Sequence, residues 1–210
     1  MSEVRLRTVT AMAMVALAIL ATVLGGYVFA ILAAAAATAV FYEWTRLARR
    51  WGLGWQVAGF LYALAAAVSL LWIRDRSDDG LSLVLWVFII VWATDIGAYF
   101  AGRAIGGPKL APTISPAKTW AGCYGGVAAA TVAGGAWALL TDLRPLLLLL
   151  APLLSVAAQG GDLFESWMKR RAGVKDSGQW LPGHGGVFDR LDGLLPVAIL
   201  TAIAVLVGAA

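Results

Sequence analysis

Seven long apolar stretches constrain this chain more than any other feature. They are Thr8–Leu24, Tyr27–Ala48, Trp55–Ile73, Leu81–Phe100, Thr119–Leu140, Leu143–Gln159 and Leu194–Ala209. Most approach the roughly 17–25 apolar residues an α-helix needs to cross a bilayer. Inside hydrocarbon every backbone amide needs a partner within the protein, so such runs imply spanning helices. No stretch alternates with the two-residue period of a membrane barrel. The expected fold is therefore all-α: a polytopic helical membrane protein of about seven spans. Residues 1–210 form one integral membrane domain, without internal repeats or a soluble domain. The start, with Arg5 and Arg7 before an apolar run, resembles a signal peptide but is longer than one. It reads as an uncleaved first span. The single cysteine, Cys123, can form no internal disulfide.

Charge placement orients the spans. With the N-terminus inside, the inner segments carry Arg5, Arg7, Arg46, Arg49, Arg50, Arg103, Lys109, Lys118, Lys169, Arg170, Arg171, Lys175 and Arg190, whereas the outer ones carry only Arg74, Arg76 and Arg144. Thirteen basic residues against three follow the positive-inside rule, and the opposite orientation would invert it. Both sizeable inner loops, Gly102–Lys118 and Gly160–Asp192, then face the cytoplasm.

The second of these regions is unlike the rest of the chain. Residues 162–193 hold ten of the 28 charged side chains and the only histidine. Within GDLFESWMKR, Asp162, Glu165, Ser166 and Lys169 recur at helical spacing and share one stripe of a short amphipathic helix. An interfacial helix with solvated charges explains that pattern equally well. In LPGHGGVFDRLDG, glycines flank His184; successive amides there can cradle phosphate oxygens, and His184 can donate to a phosphate or leaving group. The plainer reading is a turn before a helix capped by Asp189 or Asp192. Asp162 and Asp189 bring one acid each to the inner boundary, with Asp192 and Asp176 nearby. Such hard oxygens suit Mg²⁺, although pairing with Arg170 or Arg190 is their common alternative fate. Asp95, within the fourth span, is a site residue or a partner of Arg103. Ser115 and Pro116 suit an N-cap and first turn for the fifth span, and Lys118 a phosphate-binding charge. Anionic lipid would attract the basic residues too, but does not explain the interleaved aspartates and glycines. Their co-location points to a cytoplasm-facing site for polyphosphate, metal and an anionic lipid.

The segment from Ser166 to Asp192 resembles the signature of phosphatidate cytidylyltransferases, through Ser166, Lys169, Arg170, Lys175, Asp176, Gly178, Pro182, His184, Gly185, Gly186, Asp189, Arg190 and Asp192. TDIGAYFAGRAIGGPKLAPTISPAKTWAGCYGG resembles the family's second conserved stretch, and YEWTRLARR has its look as well. Many bacterial members carry more spans than seven; here the shortening falls before Leu81. The resemblance implies transfer of CMP from CTP to phosphatidate, giving CDP-diacylglycerol and pyrophosphate. It implies Mg²⁺ on Asp162 and Asp189, a second cation being left open. Asp162, Asp189, Lys169, His184 and Asp192 are the implied catalytic set. Asp95, Ser115, Lys118, Arg170, Lys175, Asp176, Gly185, Gly186 and Arg190 are implied to bind substrate. CTP, phosphatidate and membrane lipid are the implied partners, in a bacterial inner membrane. No nucleic acid is expected, and a homodimer is left open. The rival reading is a small transporter that uses Asp95, but transporter sites lie near the bilayer midplane. A CDP-alcohol phosphatidyltransferase ranks lower, since its acidic motif is absent.

Overall fold

The computed structural model describes residues 3–181 and 185–208. Its elements in chain order are α1 (Glu3–Leu24), α2 (Gly26–Leu47), α3 (Leu53–Arg74), α4 (Gly80–Ile105), β1 (Lys109–Ala111), β2 (Ser115–Thr119), α5 (Trp120–Leu140), α6 (Leu146–Ala172), α7 (Phe188–Leu191) and α8 (Leu194–Leu206). The all-α membrane architecture is present. Five described helices, α2 to α6, are long and apolar enough to cross a bilayer. The apolar parts of α1 (Thr8–Leu24) and α8 are shorter, so the full count of seven spans does not follow from helix length.

Glycine shapes the packing at two places. The α1–α2 turn has Gly25 at φ 64° and Gly26 at φ 50°, a left-handed region in which side chains with a Cβ are strained. Between α4 and α5, Gly97 faces Gly125 and Ala129, so the two backbones pack directly against each other. Small residues permit this close approach, which supplies packing that lipid-like side chains alone would not. Buried Thr94 of α4 also donates to Ser155 of α6 at 2.8 Å, tying the helices together in the apolar interior.

Two apolar clusters result. The larger joins Leu83, Trp86, Val87 and Ile90 of α4 to Ala138, Leu147, Leu154 and Val197. The smaller gathers Trp44, Leu47, Ala63, Met168, Phe188 and Leu195 under the inner loops. Trp44 is its hub: the indole Nε1 donates to the Trp55 carbonyl at 2.8 Å, and the ring meets Tyr62, Phe164 and Phe188.

Two expectations are corrected. The amphipathic segment 161–170 is not a separate short helix; it is the inner continuation of α6, which runs unbroken to Ala172. The sixth span was expected to end at Gln159, but the helix continues through Gly160 and Gly161, and Gly161 serves close contact. A Cβ there would strike the Asp192 carbonyl and Pro196. The helix ends at Gly173, φ 72°, where the Gly173 and Val174 amides bond back to Arg170 and Lys169 carbonyls. Ser115 and Pro116 likewise do not cap α5. They lie in β2, which pairs antiparallel with β1 in a small hairpin, and Thr119 is the cap, accepting from the Gly122 amide at 3.1 Å. The open edges of a two-stranded ribbon accommodate Pro116.

Candidate active site

The inner part of α6 carries the centre of the site. Asp162, Glu165, Ser166 and Lys169 do share one stripe: Ser166 Oγ donates to Asp162 Oδ1 at 3.3 Å, and Lys169 Nζ meets Glu165 Oε2 at 2.5 Å. Each end of the stripe receives a different loop.

The hairpin loop reaches the Asp162 end. Lys118, from β2, places its ammonium 2.6 Å from Asp162 Oδ2. Arg170 Nε donates to the Ile114 carbonyl at 3.1 Å, holding the hairpin tip against α6. Asp95 on α4 and Asp192 before α8 lie within electrostatic reach of Asp162, and Arg190 within reach of Asp95. Burial, followed by the Asp162 charge, pushes the Asp192 carboxyl up to about 8. Its Oδ1 accepts the Gly193 amide at 2.8 Å, and no side-chain cap forms at α8.

The glycine-rich loop reaches the Lys169 end. Lys169 Nζ lies 2.5 Å from Asp189 Oδ1. Asp189 Oδ2 accepts from the Ser177 amide at 2.9 Å and the Gly186 amide at 2.8 Å, and the Ser177 hydroxyl oxygen lies 2.9 Å from it. Burial opposes its charge, yet contacts with Glu165, Lys169 and the Gly186 amide outweigh it and hold the Asp189 carboxyl at about 2. Gly185, at φ 79°, bridges to Leu181, whose amide donates to the Gly185 carbonyl at 3.0 Å. Lys175, Asp176 and Arg190 are exposed on this loop and on α7, whereas Ser115 is half-buried in β2. Pro182, Gly183 and His184 lie outside the described residues.

The structure therefore brings Lys118, Asp162, Lys169, Arg170 and Asp189 to one stretch of α6, in two groups. Asp162 and Asp189 were expected to share one cation; each is engaged in a separate lysine pair. Among the described residues no three acidic, imidazole or thiol side chains converge as a closed metal cage. An open set of carboxylate oxygens nevertheless fits Mg²⁺, which takes one or two protein carboxylates and fills its shell with substrate phosphate and water. Of Asp162 and Asp189, Asp162 is the more available, with over a third of its side chain exposed.

Sequence reasoning assigned no role to Glu43, Glu165 or Ser177. Glu43 and Glu165 are fully buried, and both contact the site's framework. Glu43 was visible as the only carboxylate of α2, and Glu165 as a member of the charged stripe. Beside the site lies a cavity of about 620 Å³. Phe29, Ala33, Ala66, Leu70 and Val91 supply part of its apolar wall, and Asp95, Asp189, Arg190 and Asp192 its polar end.

Comparison with known proteins shows which family the chain belongs to. The model of the Cytidylyltransferase family matches residues 50–207, which include both loops. A phosphatidate cytidylyltransferase of Brucella suis is 39% identical over an alignment of 257 positions, covering 95% of this chain and 92% of the relative. The alignment is longer than the 210-residue chain, so it contains positions that this chain lacks. Proteins of the same name from Staphylococcus epidermidis and Haemophilus influenzae are 43% and 48% identical. Those matches cover 65% and 55% of this chain, and 54% and 42% of the relatives. Matched across most of its length, with the signature loop folded onto α6, the chain belongs to the cytidylyltransferase family.

Proposed function

We propose that this membrane enzyme transfers the cytidylyl group of CTP to phosphatidate at its cytoplasmic face, in an Mg²⁺-dependent reaction. The supporting observation is the meeting of two loops on one stripe of α6, through Lys118–Asp162 at 2.6 Å and Lys169–Asp189 at 2.5 Å. In the reaction a phosphatidate oxygen forms a bond to the α-phosphorus of CTP. The bond from that phosphorus to the bridging oxygen breaks, and pyrophosphate leaves with its electron pair. Both reactants are anions, so alignment and charge neutralisation are the main catalytic tasks.

Lys118 and Lys169 are the first candidates for that work. Each ammonium is paired with a carboxylate, and each can pass to a phosphate oxygen when its carboxylate turns to a cation. Arg170, Lys175 and Arg190 add positive charge around the same opening. The amides near Gly185 and Gly186, with His184, line the phosphate pocket in this reading. Mg²⁺ bound by Asp162 and Asp189, with Asp192 beside them, would supply neutralisation of the phosphate charge as it shifts toward pyrophosphate. The apolar cavity would receive the acyl chains, leaving the lipid phosphate near Asp95, Asp189 and Arg190.

The test uses purified protein, CTP labelled in the α-phosphate, phosphatidate and Mg²⁺. Label should enter the lipid phase, and chelating Mg²⁺ should stop it. Asp162→Asn should lower turnover at least a hundredfold while the protein stays monodisperse, because Asp162 is partly exposed. Label that remains aqueous under all conditions would refute the reading.

A further inference from the structure

Glu43 does not line the opening, yet its carboxylate is bound to the signature loop at three points. Its side chain is completely buried. Its Oε1 accepts the Val187 amide at 3.0 Å; its Oε2 accepts the Phe188 amide at 2.8 Å and the Ser177 hydroxyl at 2.7 Å. All three donors belong to the segment 177–188, more than 130 residues along the chain. A carboxylate taken out of water is costly unless such donors surround it. Gly178 and Gly186 make room for it, since a Cβ at either position would collide with the Glu43 carboxylate. Trp44, the next residue, is locked among Phe164, Phe188 and Tyr62, so the backbone that carries Glu43 is held as well.

The connection continues into the site. Ser177 Oγ lies 2.7 Å from Glu43 Oε2 and 2.9 Å from Asp189 Oδ2. A hydroxyl carries one proton and donates to one acceptor at a time, so Ser177 responds to both carboxylates together. Asp189 in turn holds Lys169. We propose that Glu43 is a positioning residue: a clasp from α2 that fixes the signature loop and, through Ser177, sets Asp189 and Lys169 for the transfer step.

The kinetic part of this inference rests on the proposed reaction; its structural part does not. Glu43→Gln keeps the shape but turns an amide NH₂ toward one of the three donors, so at least one bond is lost. Hydrogen–deuterium exchange of purified protein should then speed up in segment 177–188 by at least tenfold, with α4 and α5 unchanged. The kcat should fall about 10- to 100-fold, the scale expected of a small misplacement, while KM for CTP and for phosphatidate stays within threefold. Ser177→Ala should cost less in the Glu43→Gln background than alone, because both changes break one connection. Glu43→Asp, which keeps both oxygens on a shorter arm, should recover part of kcat relative to Glu43→Ala. Unchanged exchange in the loop would overturn the clasp. So would faster exchange throughout α4 and α5, or full activity despite a loosened loop. If the wild type transfers no cytidylyl group but the loop loosens as described, the clasp stands and the reaction assignment falls.

Discussion

Two aspartates three positions apart sit in opposite electrostatic settings. Asp189 is held at about 2 and is charged at any working pH. Asp192 is pushed up to about 8 and keeps its proton in most molecules at pH 7. A divalent cation bound beside Asp162, as proposed, would disfavour that proton and expel it. The apparent affinity for Mg²⁺ should therefore strengthen from pH 7 toward pH 8, by at most tenfold per pH unit, and level off above. Asp192→Asn has no proton to release and should flatten this rise. Mg²⁺ titrations of the purified protein at four pH values between 6.5 and 9 would decide it. Asp189 titrates too low to contribute to this range.

Helix packing explains both the successes and the failures of reading elements from sequence. Spans were legible because hydrocarbon requires long apolar runs, and α2, α3 and α5 fall within a few residues of expectation. The unbroken α6 was not legible. Two adjacent glycines lower helix propensity, and only the close approach of Gly161 to Asp192 and Pro196 shows what one of them serves. For the site, charge density singled out Asp162 and Lys169, and the SPAKTW stretch Lys118; the structure sets these three in ion pairs on one stripe of α6. Glu43 and Ser177 were not chosen, because their importance comes from a contact between distant segments. Close approach also gives a stability prediction. At Gly125 a Cβ would collide with Ala101 and crowd the Gly97 carbonyl. Gly125→Val should thus destabilise the α4–α5 pair by about 1–3 kcal/mol, seen as a lower thermal midpoint in detergent. Val at Gly54, where the space is open, is the control and should shift the midpoint much less.

At the scale of the whole molecule, orientation ties the chemistry to one compartment. In the proposed seven-span topology thirteen basic residues lie on the side of the site and three on the other, which would put CTP and the site in the cytoplasm. In a Cys123→Ser background, Lys175→Cys should resist a membrane-impermeant thiol reagent in intact cells and react after permeabilisation. Arg144→Cys should react in both. The reverse pattern would overturn the orientation. A final consequence concerns depth. Because α6 runs without interruption from Leu146 to Ala172, the stripe that begins at Asp162 stands at a set height above the apolar end of the same rod, at 1.5 Å per residue. In the proposed reaction this rod would fix the height above the bilayer midplane at which a lipid phosphate is met, so leaflets that carry their phosphates higher or lower than that should be served more slowly.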